Sequence, residues 1–270
     1  MKQSPIGVFD SGLGGLTAVK QLCSLLPHEN IVYFGDTGRV PYGTRSRETN
    51  RKYSAQDFAF LTSQGVKMII IACGTVSSVA ADLGGALTIP YTGVVHPTAA
   101  AAVQASRTGK IGVIATTATV RSDSFRKEIL SLAPEAQVVS QDCPLFVPLV
   151  ENGFVDENNP VTRLVAEQYL APIRKAGVDT LILGCTHYPI IAPILQKIMG
   201  DSVTLIDSGR EAALWAKSVL QERDLLNDSK AEGTRRFYVS DSGENFSSVG
   251  AMFLGHSLNG MVSHVNIEKY

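Results

Sequence analysis

Two cysteines hold the reactive chemistry this sequence offers. Cys73 follows the apolar run Met68 to Ile71, in Ala72-Cys73-Gly74-Thr75, and Cys185 follows Leu181 to Leu183, in Gly184-Cys185-Thr186-His187. A short apolar run bounded by small and polar residues reads as a buried strand, so each thiol sits where a strand ends. Gly65 and Gly177, Val66 and Val178, and Cys73 and Cys185 are each 112 positions apart. Self-similarity at a fixed offset predicts two related halves. If their strand ends face each other, one thiol stands on either wall of a cleft. Two bases on opposite faces of a bound carbon can take a proton from one side and return one from the other, inverting a stereocentre without a cofactor.

A free thiol has a pKa of about 8.5 and must be activated before it can act as a base. Lowering it by one unit corresponds to about 1.4 kcal/mol, within reach of a helix N-terminus or a nearby cation. A helix is expected just after each cysteine, and His187 can supply the cation beside Cys185 or pass the proton on. Asp10, at the end of the first strand, and Glu151, in a loop facing it, are candidate relays. An acid raises a neighbouring thiol's pKa, so they read equally as binders of a substrate ammonium. Ser11, Gly43, Thr75, Thr116, Thr119 and Thr186 bring hydroxyls and backbone amides of the kind that hold carboxylates. Asp10 repels phosphate, and Gly12 to Gly15 lacks the lysine of a P-loop. A small anionic amino or hydroxy acid is therefore the expected ligand.

Plainer readings stand beside these. Cys23 and Cys143 read as small buried hydrophobes, and His28, His96, His256 and His264 as structural. Asp10 could cap its turn, Tyr42 could be loop packing, and nothing local separates Glu151 from a surface carboxylate.

The elements that must position the thiols alternate. Strands at Ile6 to Asp10, Ile31 to Gly35, Met68 to Ile71 and Tyr91 to Val95 are separated by helical stretches ending near Leu26, from Ser46 to Gln64, and from Val76 to Leu87. A helix over Thr98 to Ser106 leads into a second series. Its strands are Ile111 to Ala115, Val138 to Asp142, the Cys185 strand and Val203 to Asp207, with Pro144 to Glu151 as a loop and a helix near Val161 to Ala176. A helix over Glu211 to Gln221, a strand over Arg236 to Ser240 and a last helix reaching Leu254 form a tail without a counterpart. The order predicts an α/β protein of two pseudo-symmetric domains, each a mainly parallel sheet flanked by helices, with ligands beyond the carboxyl ends of the strands in the interdomain cleft. The expected domains are 1–97 plus 210–270, and 98–209.

Composition sets the outer bounds. The chain has 270 residues, 44% hydrophobic and 18% charged, with a net charge of -1. That balance gives no general attraction to nucleic acid or to anionic membranes. No apolar run nears the roughly 18 residues of a membrane span, and the N-terminus lacks a signal-peptide core, so a cytoplasmic protein is expected. The four cysteines show no CxxC spacing, which argues against a metal site or a disulfide framework. No lysine falls at the expected rim, so a pyridoxal Schiff base is not expected and no cofactor is called for. A homodimer is left open.

Asp10 to Gly15 (DSGLGG), Gly35 to Gly43 (GDTGRVPYG), the ACGTVSS stretch after Ile71, Gly112 to Val120 (GVIATTATV) and Gly184 to Pro189 (GCTHYP) together resemble the bacterial glutamate racemases. The resemblance runs on to SDSGENF near the C-terminus and so spans nearly the whole chain. It implies cofactor-independent interconversion of L- and D-glutamate, supplying D-glutamate to peptidoglycan synthesis. It also implies that Cys73 takes the α-proton of D-glutamate and Cys185 that of L-glutamate, with Asp10, Glu151 and His187 assisting. Substrate contacts are implied at Ser11, Tyr42, Gly43, Thr75, Thr116 and Thr186. The family commonly has Asn where this chain has Gly74, a difference that bears on affinity and on the choice between glutamate and aspartate.

Overall fold

The computed structural model describes residues 1–258 and 260–270. Its first half runs β1 (Ile6–Asp10), α1 (Leu16–Leu25), β2 (Ile31–Gly35), α2 (Arg47–Ser63), β3 (Met68–Ile71), α3 (Gly74–Val79) and β4 (Tyr91–Gly93). The second runs α4 (Val95–Ala105), β5 (Lys110–Ala115), α5 (Thr117–Ser122), α6 (Ser124–Leu132), β6 (Gln137–Asp142), α7 (Phe146–Glu151), α8 (Pro160–Lys175), β7 (Thr180–Leu183), α9 (Ala192–Met199) and β8 (Thr204–Asp207). A tail follows as α10 (Ser208–Glu222), β9 (Arg235–Val239), α11 (Gly243–Leu254) and β10 (Val262–His264).

Local chemistry explains several of these boundaries. The Ser46 hydroxyl accepts from the Thr49 amide and caps α2. Asn159 caps α8 ahead of Pro160, whose missing N–H costs nothing in the first turn. Gly65 and Gly177 close α2 and α8 at φ of 67° and 66°, a conformation that a Cβ would strain, at matching points of the two halves.

The sheets are ordered β10-β9-β2-β1-β3-β4 and β6-β5-β7-β8. The segment β2-β1-β3-β4 therefore repeats as β6-β5-β7-β8, and every pairing is parallel. The tail strands add to the free edge of β2. β1, β2 and β3 are fully buried, as parallel strands covered on both faces must be. One apolar core runs through both halves, joining Ile6, Leu16 and Ile70 to Ile114, Leu170 and Leu195.

Three local expectations are corrected. The stretch from Pro144 to Glu151 is not a loop throughout, since Phe146–Glu151 form α7, with Phe146 and Val150 buried. The helix after Cys73 starts at Gly74 and stops at Val79, where Ala80 leaves helical geometry and a 3-10 segment, Ala81–Ala86, takes over. His96 and Pro97 lie inside α4 rather than at a strand end, because β4 closes at Gly93. A boundary at 97/98 or 209/210 would cut the first turn of α4 or α10. We propose instead that the halves divide at 94/95 and 207/208.

A buried ion pair ties the tail to the first half. Lys67, 1% exposed, lies 2.5 Å from Glu29 and donates to the carbonyls of Lys2 and Leu225, while Glu29 accepts from the Asn227 amide. Breaking such a pair on one side strands a buried charge and costs about 3–5 kcal/mol. Lys67→Met should lose that much in denaturant unfolding, and the double variant Lys67→Met/Glu29→Met should recover most of it.

Candidate active site

The carboxyl ends of β1, β3, β5 and β7 converge on a cavity of about 350 Å³ lined by both Cys73 and Cys185. Cys73 occupies the N-cap position of α3, and its thiol donates to the Ser11 hydroxyl at 3.5 Å. Burial, and after it the negative charge of Asp10, pushes the Cys73 pKa up to about 12, against the pull of nearby backbone amides. This reverses the expectation of an activated thiol: six-residue α3 cannot offset the desolvation of a side chain only 5% exposed. The surroundings of Cys73 favour its protonated form.

The other wall differs. Cys185 is followed by the 3-10 turn Tyr188–Ile191, and α9 begins only at Ala192, so no α-helix starts at this thiol. Its partner is His187, whose Nδ1 lies 3.9 Å from the sulfur. His187 Nε2 meets Glu151 Oε1 at 2.9 Å, and the ring packs edge-on against Phe253 of α11. Glu151, which local sequence could not tell from a surface carboxylate, thus stands behind the imidazole on the Cys185 side. Burial opposes a charge on His187, but hydrogen bonds and charges of Cys185 and Glu151 outweigh it and raise its pKa to about 10.

The sign of that shift makes a stability prediction. A histidine raised above its unfolded value of about 6.5 stabilises the fold fully below that pH and loses the contribution as pH climbs through the folded value. The melting-temperature advantage of the protein over His187→Gln should be largest below pH 6.5 and shrink towards pH 10. A gap that ignores pH would mean that folding leaves the imidazole pKa at its unfolded value.

Asp10 is 1% exposed, accepting from the Gly12 amide at 2.9 Å and from the Thr186 hydroxyl at 3.3 Å. Burial raises its pKa, against the pull of His187 and these donors. It therefore joins loops of the two halves as well as ending its own strand. The glycine-rich turn makes this possible: a Cβ on Gly14 would sit 2.2 Å from Thr186 Oγ1 and 2.5 Å from His187 Nδ1. Thr75 and Thr116 share a hydrogen bond of 3.1 Å across the cleft. Thr119 stands behind them, its hydroxyl accepting from Thr116 at 3.0 Å, and does not line the cavity. Tyr42 and Gly43 line it, but the Tyr42 hydroxyl is committed to Asp36 and to Asp57. The Tyr42 carbonyl is taken as well, accepting from the Asn50 side-chain amide and from the Arg45 backbone N–H. Cys143, read from sequence as a plain hydrophobe, lines the cavity together with Val147 and Pro148 at the start of α7. Only recognising α7 as an amphipathic helix would have placed that wall.

Two like-wound parallel sheets, meeting rim to rim around one cleft with a thiol on each wall, define a duplicated α/β cleft protein. Comparison with known proteins makes the class specific. The Asp/Glu/Hydantoin racemase family model matches residues 15–216. A glutamate racemase of Geobacter metallireducens is 44% identical over 269 residues, covering 99% of this chain and 98% of that protein. One from Syntrophus aciditrophicus is 46% identical over 258 residues, covering 95% of each. The crystal structure of glutamate racemase from Francisella tularensis in complex with D-glutamate matches with a TM-score of 0.92 and 43% identity over 100% of both chains. The chain belongs to the Asp/Glu/Hydantoin racemase family and is an amino-acid racemase.

Proposed function

We propose that this chain is a glutamate racemase that inverts the α-carbon by two-base proton transfer between Cys185 and Cys73. The observation that carries the reading is the pair of thiols on one small cavity, one hydrogen-bonded to Ser11 and the other beside His187. With L-glutamate bound, the Cys185 thiolate takes the α-proton and the C–H electron pair stays on carbon, delocalised into the carboxylate. The Cys73 thiol then gives its proton to the opposite face, leaving D-glutamate, a protonated Cys185 and a Cys73 thiolate. A Cys73 that holds its proton suits this direction, and the reverse reaction begins from the complementary state. His187, fixed by Glu151, offsets the charge on Cys185. In this reading Asp10, buried just behind the lining residues Ser11 and Gly12, would draw the substrate ammonium, and Ser11, Gly43, Thr75, Thr116 and Thr186 would receive the carboxylates. The D-glutamate bound in the Francisella structure supports glutamate as the substrate.

The product would feed peptidoglycan synthesis, which growth of a D-glutamate auxotroph carrying this chain would test. No helix among the described residues is long and apolar enough to cross a membrane. The direct experiment is proton NMR of L-glutamate, and separately L-aspartate, with purified protein in heavy water, followed by chiral analysis. Loss of the α-proton signal with D-glutamate formation is the expected result. Exchange of aspartate alone would move the assignment to an aspartate racemase, and exchange of neither would refute it for both acids.

A further inference from the structure

A second cavity, of about 710 Å³, lies beside the thiol cleft and shares Gly43, Thr44 and Thr117 with its lining. Arg45 and Arg47 line it from the first half, and Arg121 and Lys127 from the second; no aspartate or glutamate does so. All four cations are exposed, and among the described residues none is in an ion pair. The Lys127 ammonium donates to the Ser122 carbonyl, at 3.2 Å. Arg47 feels Asp82, but Arg51 already holds that carboxylate with two bonds of 2.5 and 2.9 Å.

The placement of these charges is electrostatically adverse. Arg47 is the first residue of α2, where Glu48 offsets part of its charge, and Lys127 lies in the first turn of α6, which has no acidic residue there. Helix N-termini carry partial positive charge and favour anions. Four cations around one cavity repel one another as well, in a chain whose 25 acidic residues leave it at a net charge of -1. A bound anion removes both penalties at once. Guanidinium groups match phosphate and carboxylate oxygens with paired donors.

We infer that this cavity binds a small polyanion carrying two or more phosphate or carboxylate groups, which bridges the two halves at the mouth of the cleft. The site is separate from the thiol chemistry and does not depend on which amino acid the cleft inverts.

Isothermal titration calorimetry tests it, with pyrophosphate as the phosphate probe and citrate as the carboxylate probe, on the full chain without glutamate. One saturable site per chain is expected for at least one probe, weakening about tenfold as ionic strength rises from low to near-physiological. Arg47→Ala and Arg121→Ala, one from each half, should each weaken binding about tenfold or more. Lys197→Ala, whose ammonium pairs with Glu157 on another surface, should leave it unchanged. No saturable binding of either probe would overturn the site, and loss confined to the variant from one half would overturn the bridge. Because binding is read without turnover, failure of the racemase assignment would not affect the result.

Discussion

Cys73→Ala is expected to abolish interconversion of the glutamate enantiomers, lowering kcat about 10²–10⁴-fold, the range a positioned proton-transfer group contributes. The loss should not be symmetric in its details. With Cys73 gone, Cys185 and His187 remain to attack L-glutamate, so slow α-proton exchange of L-glutamate into heavy water without inversion should survive. D-glutamate, whose α-proton faces the missing thiol, should be silent. Cys185→Ala should show the mirror pattern, with residual exchange confined to D-glutamate. That residue should be fainter, because the remaining thiol is the one that burial and Asp10 hold at a pKa of about 12. Both variants keep the volume of the site nearly intact and should unfold close to the parent. Near-parental inversion of both enantiomers by either variant would falsify the two-thiol mechanism while leaving the family assignment in place.

Gly74→Ala carries the second large effect. A Cβ built on Gly74 would lie 2.3 Å from the carbonyl oxygen of Gly184 and 3.4 Å from its carbon, so the obstacle is backbone rather than a side chain that can swing away. Gly74 adjoins Cys73 and Gly184 adjoins Cys185. Whatever relieves the collision therefore moves the two thiol loops apart. Overpacking of this kind costs about 1–3 kcal/mol, which, felt in the transition state, lowers kcat/KM about 10- to 100-fold. Alanine is otherwise the better residue in a helix by about 1 kcal/mol. A variant that melts no earlier yet turns over slowly would locate the damage in the spacing of the thiols. The same spacing governs partition of the carbanion, so α-proton exchange without inversion should rise relative to racemisation. Gly74→Asn brings the same Cβ and should fall at least as far with glutamate, even though its amide could reach a ligand. Parental kcat/KM in both variants would show that this contact does not set the width of the site.

Much of the architecture was legible because it repeats. An apolar strand that ends in a small residue and a thiol is a local pattern, and its return after 112 positions, with Gly65 and Gly177 as matching helix stops, exposed the duplication. The equal strand orders of the two sheets are the three-dimensional form of that repeat. The segment ending at Glu151 carries no local helix signal, because Phe146–Glu151 is six residues long and contains Pro148. So short a helix forms through burial of Phe146 and Val150, not through propensity.

The residue types of the site and their places at strand ends were written in the chain itself, since a strand's length and terminus depend on neighbours in sequence. Tertiary structure alone decided the protonation of Cys73, the pairing of His187 with Glu151, the commitment of the Tyr42 hydroxyl to Asp36 and Asp57, and the contact of Gly74 with Gly184. Each depends on desolvation or on an approach between distant segments. Those quantities are properties of the packed whole, and no local pattern of residues encodes them.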